Sequence, residues 1–271
     1  MVTTAKTARQ RAREQITDEI LRAARDRLTR TGPGELSLRA VARDVGMVSS
    51  AVYRYFPSRD DVLTALLIEG YDELGAAVEQ ADRDVADRGD VTARWLAACR
   101  TVRTWSLAHP GDYALLYGSP VPGYAAPQDT IGPATRVVVV LIGIISDAYA
   151  ADAGALATPA APELAELVAG AIEFAHQQGF EELPPELVVR TIMAWTNIFG
   201  TVSFELFGHL HGSISDYATY FDEVCGRLGA YVGLPSGPPT RIAASSASQS
   251  GGGSASIGSE PAPSTGGGGQ S

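Results

Sequence analysis

The chain has 271 residues, 45% of them hydrophobic, and a net charge of −10. This length and composition allow one or two domains with a sizeable apolar core. Its two cysteines, Cys99 and Cys225, lie far apart without metal-ligand spacing, which excludes a disulfide framework and a thiolate metal cluster. The amino terminus is polar, and the longest apolar run, 137–145, is about half a membrane span. We therefore expect a cytoplasmic protein with no secretory signal and no membrane partner.

Charge is unevenly distributed along the chain. Residues 1–60 carry 12 basic and 7 acidic side chains, whereas residues 61–271 carry 9 basic and 24 acidic ones. A basic segment joined to an acidic body favours a polyanion-binding module attached to a part that avoids polyanions. On the charge arithmetic alone, a random fluctuation is the alternative explanation.

Helical periodicity dominates the chain and predicts an all-α fold. The apolar residues of the first helix recur at every fourth position, and this helix is expected to end at Gly32, just before Pro33. Ser37 can cap a second helix, which Gly46 would end. A third helix of fewer than ten residues is expected over 49–55.

A fourth, long helix is predicted to begin after Ser58, because Ser58 and Asp61 have the spacing of a capping box. Prolines at the breaks between later apolar segments separate six more helices. The β-branched run 135–145 would also suit a buried strand, but no partner strand is apparent, so a helix is preferred. The six helices are expected at approximately residues 91–108, 111–118, 133–152, 162–179, 185–211 and 216–232.

The last part of the chain, 235–271, differs in composition from the rest. From Ser236 onward there are 10 Ser, 9 Gly and 4 Pro among 36 residues. Such a segment buries too little apolar surface to offset the entropy of ordering it. We therefore expect a disordered tail.

Residues 38–55 have the pattern of a helix-turn-helix. Two short helices flank a tight turn at Gly46, where the chain must pass through a left-handed conformation that glycine adopts readily. The small side chains of Ala42 and Ala51 allow the two helices to approach closely. This motif places its second helix in the major groove of DNA.

The sequence LSLRAVARDVGMVSSAVYRYFPSRDDVLTALL, preceded by ILRAARDRLTRTG, resembles the amino-terminal domain of the TetR family of transcriptional regulators. The resemblance spans about residues 16–67 with hardly a gap. Residues 47–50 depart from the usual family pattern, which is expected to change the bases that are read and not the fold. The resemblance implies a three-helix DNA-binding head on an α-helical ligand-binding and dimerisation body.

Position in the motif assigns roles to individual residues of the head. The first turn of the recognition helix begins at Ser49 and is expected to contact base edges. Arg39 can pair with a guanine or, alternatively, with a phosphate, and Tyr53 can contact a phosphate or pack on the first helix. The predicted DNA-binding residues are Ser37, Arg39, Val48, Ser49, Ser50, Ala51, Tyr53, Tyr55 and Arg59. A basic arm before the first helix is expected to add Lys6, Arg9, Arg11 and Arg13.

The segments VRTWSLAHPGDYALLYGSP and AWTNIFGTVSFELFGHLHG are similar to the ligand domain of the TetR subgroup with a Trp-x-x-x-His-Gly (WHG) signature. Phe199 stands where that subgroup has histidine, so any polar role of the histidine does not carry over. Aromatic side chains on the helices of the body predict an apolar effector pocket, with ordinary core packing as the alternative. The predicted pocket residues are Trp105, Tyr113, Tyr117 and Trp195.

The last two predicted helices carry apolar stripes that suit half of a four-helix bundle formed by two subunits. TetR relatives dimerise in this way, and a two-fold dimer fits a palindromic operator. The predicted interface residues are Ile198, Val202, Phe221, Val224 and Leu228.

An enzyme is not expected. The chain contains no glycine-rich phosphate loop, nucleophile elbow or His-Glu-x-x-His motif, and no cofactor is implied. Glu205 and His209 lie four residues apart and could share a helix face, but a metal site usually needs three or four convergent ligands.

The predicted function is that of a homodimeric TetR-type regulator, a repressor released from a palindromic double-stranded DNA operator by a small, largely hydrophobic effector. The alternative is a helical dimeric module that binds a small molecule or protein without binding DNA. The predicted organisation is a basic arm (1–13), a helix-turn-helix domain (14–60), an effector-binding and dimerisation domain (61–234) and the tail (235–271).

Overall fold

A computed structural model of the chain describes residues 7–153 and 162–235. These residues form helices and connecting turns with no strand, which confirms the all-α prediction. Lys6 and nearly all of the predicted tail lie outside the described residues. The helices are α1 (Ala8–Thr31), α2 (Leu38–Asp44), α3 (Ser49–Val52), α4 (Arg59–Asp84), α5 (Val91–Ala108), α6 (Pro110–Tyr117), α7 (Ile131–Ala151), α8 (Pro162–Leu167), α9 (Ala169–Gln177), α10 (Pro185–Leu206) and α11 (Tyr217–Tyr231).

Helix α1 begins earlier than predicted because a capping box starts it. The backbone N–H of Gln10 donates to the Thr7 hydroxyl at 3.2 Å, and the backbone N–H of Thr7 donates to the Gln10 side chain at 2.8 Å. Arg9, Arg11 and Arg13 therefore lie on the helix, and the prediction that they precede it as an arm is wrong. The helix ends as expected, with Gly32 at φ 77°.

Helices α2 and α3 form the predicted helix-turn-helix around Gly46. This glycine has φ 67°, and the following Met47 N–H donates to the Ala42 carbonyl at 2.8 Å, which closes the end of α2. Helix α3 is shorter than predicted because Tyr53–Tyr55 continue as a turn. The three helices of the head enclose a small core of buried apolar residues, which are Ile20, Ala24, Leu28, Val41 and Val52.

Helix α4 connects the head to the rest of the chain. It starts with the predicted capping box, in which the Ser58 hydroxyl accepts from the Asp61 N–H at 3.1 Å and the Asp61 carboxylate accepts from the Ser58 N–H at 2.8 Å. Its later turns pack along α5 and α7. All described residues belong to one compact unit, so the predicted division of 14–60 from 61–234 stays a prediction about function.

The β-branched run 135–145 is helical, as preferred, because α7 lies in the core of the body with Leu141, Ile144 and Ile145 fully covered. Helix α10 ends earlier than expected. The residue Gly208 adopts φ 77°, and the N–H of His209 donates to the Phe204 carbonyl at 2.9 Å, which terminates the helix.

Two described helices are long and apolar enough to cross a membrane by length and composition. They are Gln128–Ala151, which includes α7, and Pro185–Leu206, which is α10. Both pack against other helices of the body. By length and composition alone, such helices are weak evidence for a membrane span.

Candidate functional site

The predicted DNA-reading residues lie on an exposed surface of the head around α2 and α3. Val48 is 70% exposed and Tyr53 is 44% exposed, although both side chains are largely apolar. Ser37, Arg39 and Ser50 are also exposed, whereas Ser49 and Ala51 are half-buried. Ser37 stands at the N-cap position of α2, but the predicted capping hydrogen bond is absent, so its hydroxyl remains available to a ligand.

Three arginines on this surface have no acidic partner. Within the described chain, Arg39, Arg43 and Arg54 form no ion pair or side-chain hydrogen bond, and all three are exposed. In the body, by contrast, every described arginine pairs with a carboxylate. Those paired arginines are Arg83, Arg88, Arg94, Arg100, Arg103, Arg136, Arg190 and Arg227. The head thus presents uncompensated positive charge, as a phosphate-binding surface does.

Two predicted phosphate contacts already have partners within the head. The guanidinium of Arg59 donates to the backbone carbonyls of Leu36 at 3.1 Å, Pro33 at 3.0 Å and Gly34 at 3.1 Å, so it fastens α4 to the turn between α1 and α2. The ring of Tyr55 lies 5.4 Å below the guanidinium of Arg13. Sequence position alone gave no indication of these structural roles, because the partners are backbone atoms and a residue far along the chain.

The body contains an apolar cavity of about 500 Å³ between five helices. Its size lies in the range of small-molecule sites. We call it the body cavity. It is lined by Tyr71, Leu116, Tyr117, Ala134, Thr135, Val138, Ile142, Ala171, Phe174, Val188, Ile192 and Trp195.

Two of the four predicted pocket residues, Tyr117 and Trp195, line the body cavity. The other two do not. Tyr113 is fully buried, and its hydroxyl donates to the Phe199 carbonyl at 2.7 Å. The ring of Trp105 stacks on His109 with centroids 4.8 Å apart. The pocket prediction as a whole stays untested, since the cavity shows space and chemistry and not a bound effector.

Sequence reasoning missed most of the cavity wall. The aliphatic and phenylalanine residues that α7, α9 and α10 contribute have the same spacing as any core-facing stripe. Nothing in that pattern distinguishes a side chain that lines a void from one that fills it. Phe199, at the position of the subgroup's histidine, packs its ring 4.3 Å from Tyr117 and 5.8 Å from Trp195. It therefore supports the cavity wall by packing, and the WHG subgroup assignment stays a prediction.

Helix α6 touches both the body cavity and the head. Its last turn supplies Leu116 and Tyr117 to the cavity wall. Its first turn packs against α1, and a Cβ atom on Gly111 would lie 2.4 Å from the Thr29 hydroxyl and 2.9 Å from the Thr29 Cα. Only glycine allows this close approach. Helix α6 therefore connects the cavity wall with α1.

A buried ion pair joins the same two helices. Arg25 Nε on α1 lies 3.1 Å from Asp112 Oδ1 on α6, and the Asp112 side chain is only 4% exposed. The two atoms are close but not aligned as a hydrogen bond, so the oxygen lacks a directed donor among the described residues. Burial raises the pKa of Asp112, and the charge of Arg25 opposes that rise only in part. The same guanidinium also reaches Glu69 at 3.3 Å and Glu73 at 3.0 Å.

The predicted dimer residues divide into two groups. Ile198, Val202 and Phe221 are buried inside the chain itself, whereas Val224 and Leu228 are half-buried. Next to them, α10 and α11 carry large apolar side chains that are each more than a third exposed in the described chain. These are Met193, Phe204, Tyr220 and Tyr231. The interface prediction is not tested by a single chain, but the exposed surface available to a partner consists mainly of residues that the prediction did not name.

The weak metal pairing of Glu205 with His209 has no structural support. His209 lies beyond the end of α10 and packs against Phe204 with ring centroids 5.1 Å apart. Both carboxylate oxygens of Glu205 accept from Arg103, at 2.6 and 2.8 Å. No group of three metal-ligating side chains occurs among the described residues.

Sequence comparison places both halves of the chain in one family. A family model described as "Bacterial regulatory proteins, tetR family" matches residues 20–66. A second, described as "Tetracyclin repressor-like, C-terminal domain", matches residues 95–228. The chain is 40% identical over 217 residues to the HTH-type transcriptional regulator Rv1816 of Mycobacterium tuberculosis, covering 79% of this chain and 91% of that protein. The regulator Mb1846 of Mycobacterium bovis gives the same figures.

Solved structures agree with this placement. The crystal structure of a protein designated regulatory protein SCO4313 superposes with a TM-score of 0.67 at 28% identity, covering 82% of this chain and 98% of that one. A protein of unknown function from Rhodococcus sp. RHA1, at 22% identity and a TM-score of 0.57, shares the fold. These matches support a DNA-binding regulator over the alternatives of a module that does not bind DNA and an enzyme. The chain belongs to the TetR family of DNA-binding transcriptional regulators.

Proposed function

We propose that the chain is a cytoplasmic homodimeric repressor that leaves a palindromic operator when a small apolar effector occupies the body cavity. One observation carries this proposal: α6 is both a wall of the cavity and the helix against which α1 packs. An effector that moves α6 would therefore tilt α1 and the recognition helix attached to it. The two heads of the dimer would then lose the half-site spacing that the operator requires.

The head would bind DNA through two kinds of contact. The unpaired guanidinium groups of Arg39, Arg43 and Arg54 supply attraction to phosphates, and Arg39, the most favourably placed, would reach a guanine. The hydroxyls of the exposed Ser50 and the half-buried Ser49, in the first turn of α3, would read base edges. The role of Arg59 is then to hold the turn before α2 in place, with its remaining donor capacity directed to a phosphate.

The contact between α1 and α6 would transmit the change. Because Gly111 leaves no gap beside Thr29, α6 cannot move toward α1 without displacing it. The attraction between Asp112 and Arg25, whose charged atoms lie 3.1 Å apart, adds to this contact. An effector can change the affinity for DNA only by its difference in affinity for the two arrangements, which is typically about 1–3 kcal/mol.

A cavity-filling substitution tests the coupling without knowledge of the effector. Ala171 lines the cavity, and Ala169, two residues earlier on α9, is exposed and does not. We expect Ala171→Phe to lower the affinity for DNA selected from a random pool by about 5–150-fold, whereas Ala169→Phe should leave it unchanged. Fluorescence anisotropy of labelled duplex measures both. Equal affinities for the two variants would refute release by occupancy of the cavity.

Salt dependence tests the DNA contacts. The affinity of the wild-type protein should fall steeply between about 50 and 200 mM salt, because phosphate contacts release counterions. Replacing Arg39, Arg43 and Arg54 together by Gln should flatten that slope. The matched replacement of Arg88, Arg190 and Arg227, which are paired in the body, should not. A flat slope for the wild-type protein would contradict the proposed mode of binding.

The dimer would form through the exposed apolar face of α10 and α11. Deleting α11 is a poor test, because Phe221 and Cys225 are part of the core. Tyr220, 37% exposed, offers a surface substitution, and Ile131, 56% exposed at the start of α7, offers a control. We expect Tyr220→Arg to sediment as a monomer and Ile131→Arg as a dimer. If the Tyr220→Arg protein remained dimeric, the interface would lie on another surface.

A further inference from the structure

The chemistry of the body cavity defines its ligand more closely, an inference that rests on the proposed effector function. Among the described residues, no charged side chain lines the cavity. The nearest arginine in sequence, Arg136, is already held by both carboxylate oxygens of Glu79, at 2.7 and 2.8 Å, and by Asp72 at 2.7 Å. A ligand carboxylate or ammonium would lose its hydration here and gain no opposite charge. The described wall therefore favours a neutral ligand.

Tyr117 differs from the tyrosines around it. The hydroxyl of Tyr71 donates to the Leu116 carbonyl at 3.1 Å, and that of Tyr113 donates to the Phe199 carbonyl at 2.7 Å. The Tyr117 hydroxyl forms no hydrogen bond with any described residue. The described residues do not fully enclose the oxygen of this hydroxyl, so an atom of a ligand can reach it.

The ring of Tyr117 packs against other aromatic rings, while its hydroxyl has no hydrogen-bond partner among the described residues. It packs 4.3 Å from Phe199 and edge-on to Tyr71 at 5.9 Å, measured between ring centroids. Burial raises the pKa of Tyr117 far above its ordinary value of 10, so the hydroxyl stays protonated and able to donate. Because this hydroxyl is bonded to no described residue, an acceptor on a ligand would pair with it without breaking a hydrogen bond within the protein.

A second donor belongs to the same wall. The indole N–H of Trp95, in the core, donates to the Cys225 carbonyl at 2.9 Å. The indole N–H of Trp195 has no acceptor among the described residues, although Trp195 lines the cavity. An indole N–H can only donate. The Tyr117 hydroxyl and the Trp195 N–H, both unpaired among the described residues, would therefore pair with acceptors on the ligand.

We infer that the body cavity binds a neutral, mainly apolar compound that carries a carbonyl or comparable hydrogen-bond acceptor, and that Tyr117 is the residue that recognises this acceptor. Trp195 adds a second donor for the same group. The apolar remainder of the ligand packs against the side chains of α7 and α9. Ketones, aldehydes, esters and lactones belong to this class, whereas hydrocarbons, carboxylates and amines do not.

Three compounds of similar shape test the inference. Benzophenone carries the acceptor, diphenylmethane is its hydrocarbon counterpart, and diphenylacetate carries a carboxylate. Equilibrium dialysis with the full-length protein should show benzophenone bound about three- to tenfold more tightly than diphenylmethane, as one neutral hydrogen bond provides. Diphenylacetate should bind most weakly. Tightest binding of diphenylacetate, or no binding of benzophenone, would overturn the inference.

Tyrosine variants assign the recognition to a residue. Tyr117→Phe should reduce the preference for benzophenone over diphenylmethane, because the acceptor then loses the hydroxyl and keeps only the Trp195 N–H as a donor. Tyr71→Phe, which removes a hydroxyl already bonded to Leu116, should keep the preference. The ratio is taken within one protein, so a loss of stability does not imitate the effect. An unchanged ratio in Tyr117→Phe would refute the role of Tyr117, while the DNA affinity of Ala171→Phe would still report separately on the proposed function.

Discussion

The exposed surface around α2 and α3 differs from the body in the surroundings of its arginines. On the head, Arg39, Arg43 and Arg54 are exposed and have no partner among the described residues. In the body, arginines tie helices together, as Arg103 does with Glu205 and Arg136 does with Glu79. The same residue type thus stands unpaired in one region and holds helices together in the other. The difference teaches that an unpaired charge, and not the number of arginines, indicates a polyanion-binding surface.

The contact between the two regions should be the most sensitive point of the molecule. Gly111→Ala places a methyl group against the backbone of Thr29, and we expect it to lower the free energy of unfolding by about 1–3 kcal/mol. Gly132→Ala is the control, because a Cβ there meets nothing within 4 Å. Urea denaturation monitored by circular dichroism measures both. Equal midpoints would show that α1 and α6 separate without strain.

A substitution on the head should change DNA binding and leave the free energy of unfolding unchanged. Arg39→Ala removes an exposed, unpaired guanidinium, so discrimination at one or two base pairs should fall by about 1–3 kcal/mol while the unfolding midpoint stays the same. Arg83→Ala removes an equal charge at the end of α4 and should change neither. Binding to a panel of single-base operator variants separates the outcomes. Uniform weakening on every sequence would reassign Arg39 to a phosphate.

Two serines at helix starts sharpen the comparison between structural and recognition roles. Ser58→Ala breaks a capping box and should lower the free energy of unfolding by about 1 kcal/mol. Ser37→Ala removes a hydroxyl that caps nothing, so stability should hold while DNA affinity falls. Thermal unfolding and duplex binding, measured on both variants, give four values. The reverse pattern would exchange the two roles.

The smallest effect concerns pH. Burial raises the pKa of Asp112 above its ordinary value of 3.8, so the folded chain binds this proton more tightly than the unfolded chain. As pH rises from about 4 through the raised pKa, Asp112 should therefore reduce the free energy of unfolding. Asp112→Asn has no titrating group at this position. The free energy of unfolding of the wild-type protein should therefore fall relative to that of the variant as pH rises over this interval. A difference that grows in the opposite direction would contradict the assignment of burial as the dominant cause.

Local features of the head were accessible from sequence because they depend on neighbours in the chain. Gly32, Gly46 and the pair Ser58 and Asp61 each act within four residues, and all three predictions of helix ends hold. The start of α1 was missed because Thr7 and Gln10 form a capping box in a segment with no apolar stripe. Periodicity finds a helix only where one face is buried.

The body was harder to predict because its properties arise between distant segments. Tyr113 and Tyr117 have the same residue type on the same helix, yet one bonds to Phe199 and the other lines the cavity. Ile198 and Val202 have the spacing of an interface stripe, yet α11 and the rest of the body already cover them. Spacing identifies a buried face, but only the packing shows whether protein, void or partner lies against it.

The capping box at the start of α1 fixes the directions in which its basic side chains can reach. Arg9 and Arg13 lie four residues apart and share one side of the helix, where Arg13 covers the ring of Tyr55. Arg11 lies about 200° around the axis from Arg9. A straight helix cannot follow a groove as an extended strand does, so we expect that these three cations would not all contact one sugar–phosphate strand.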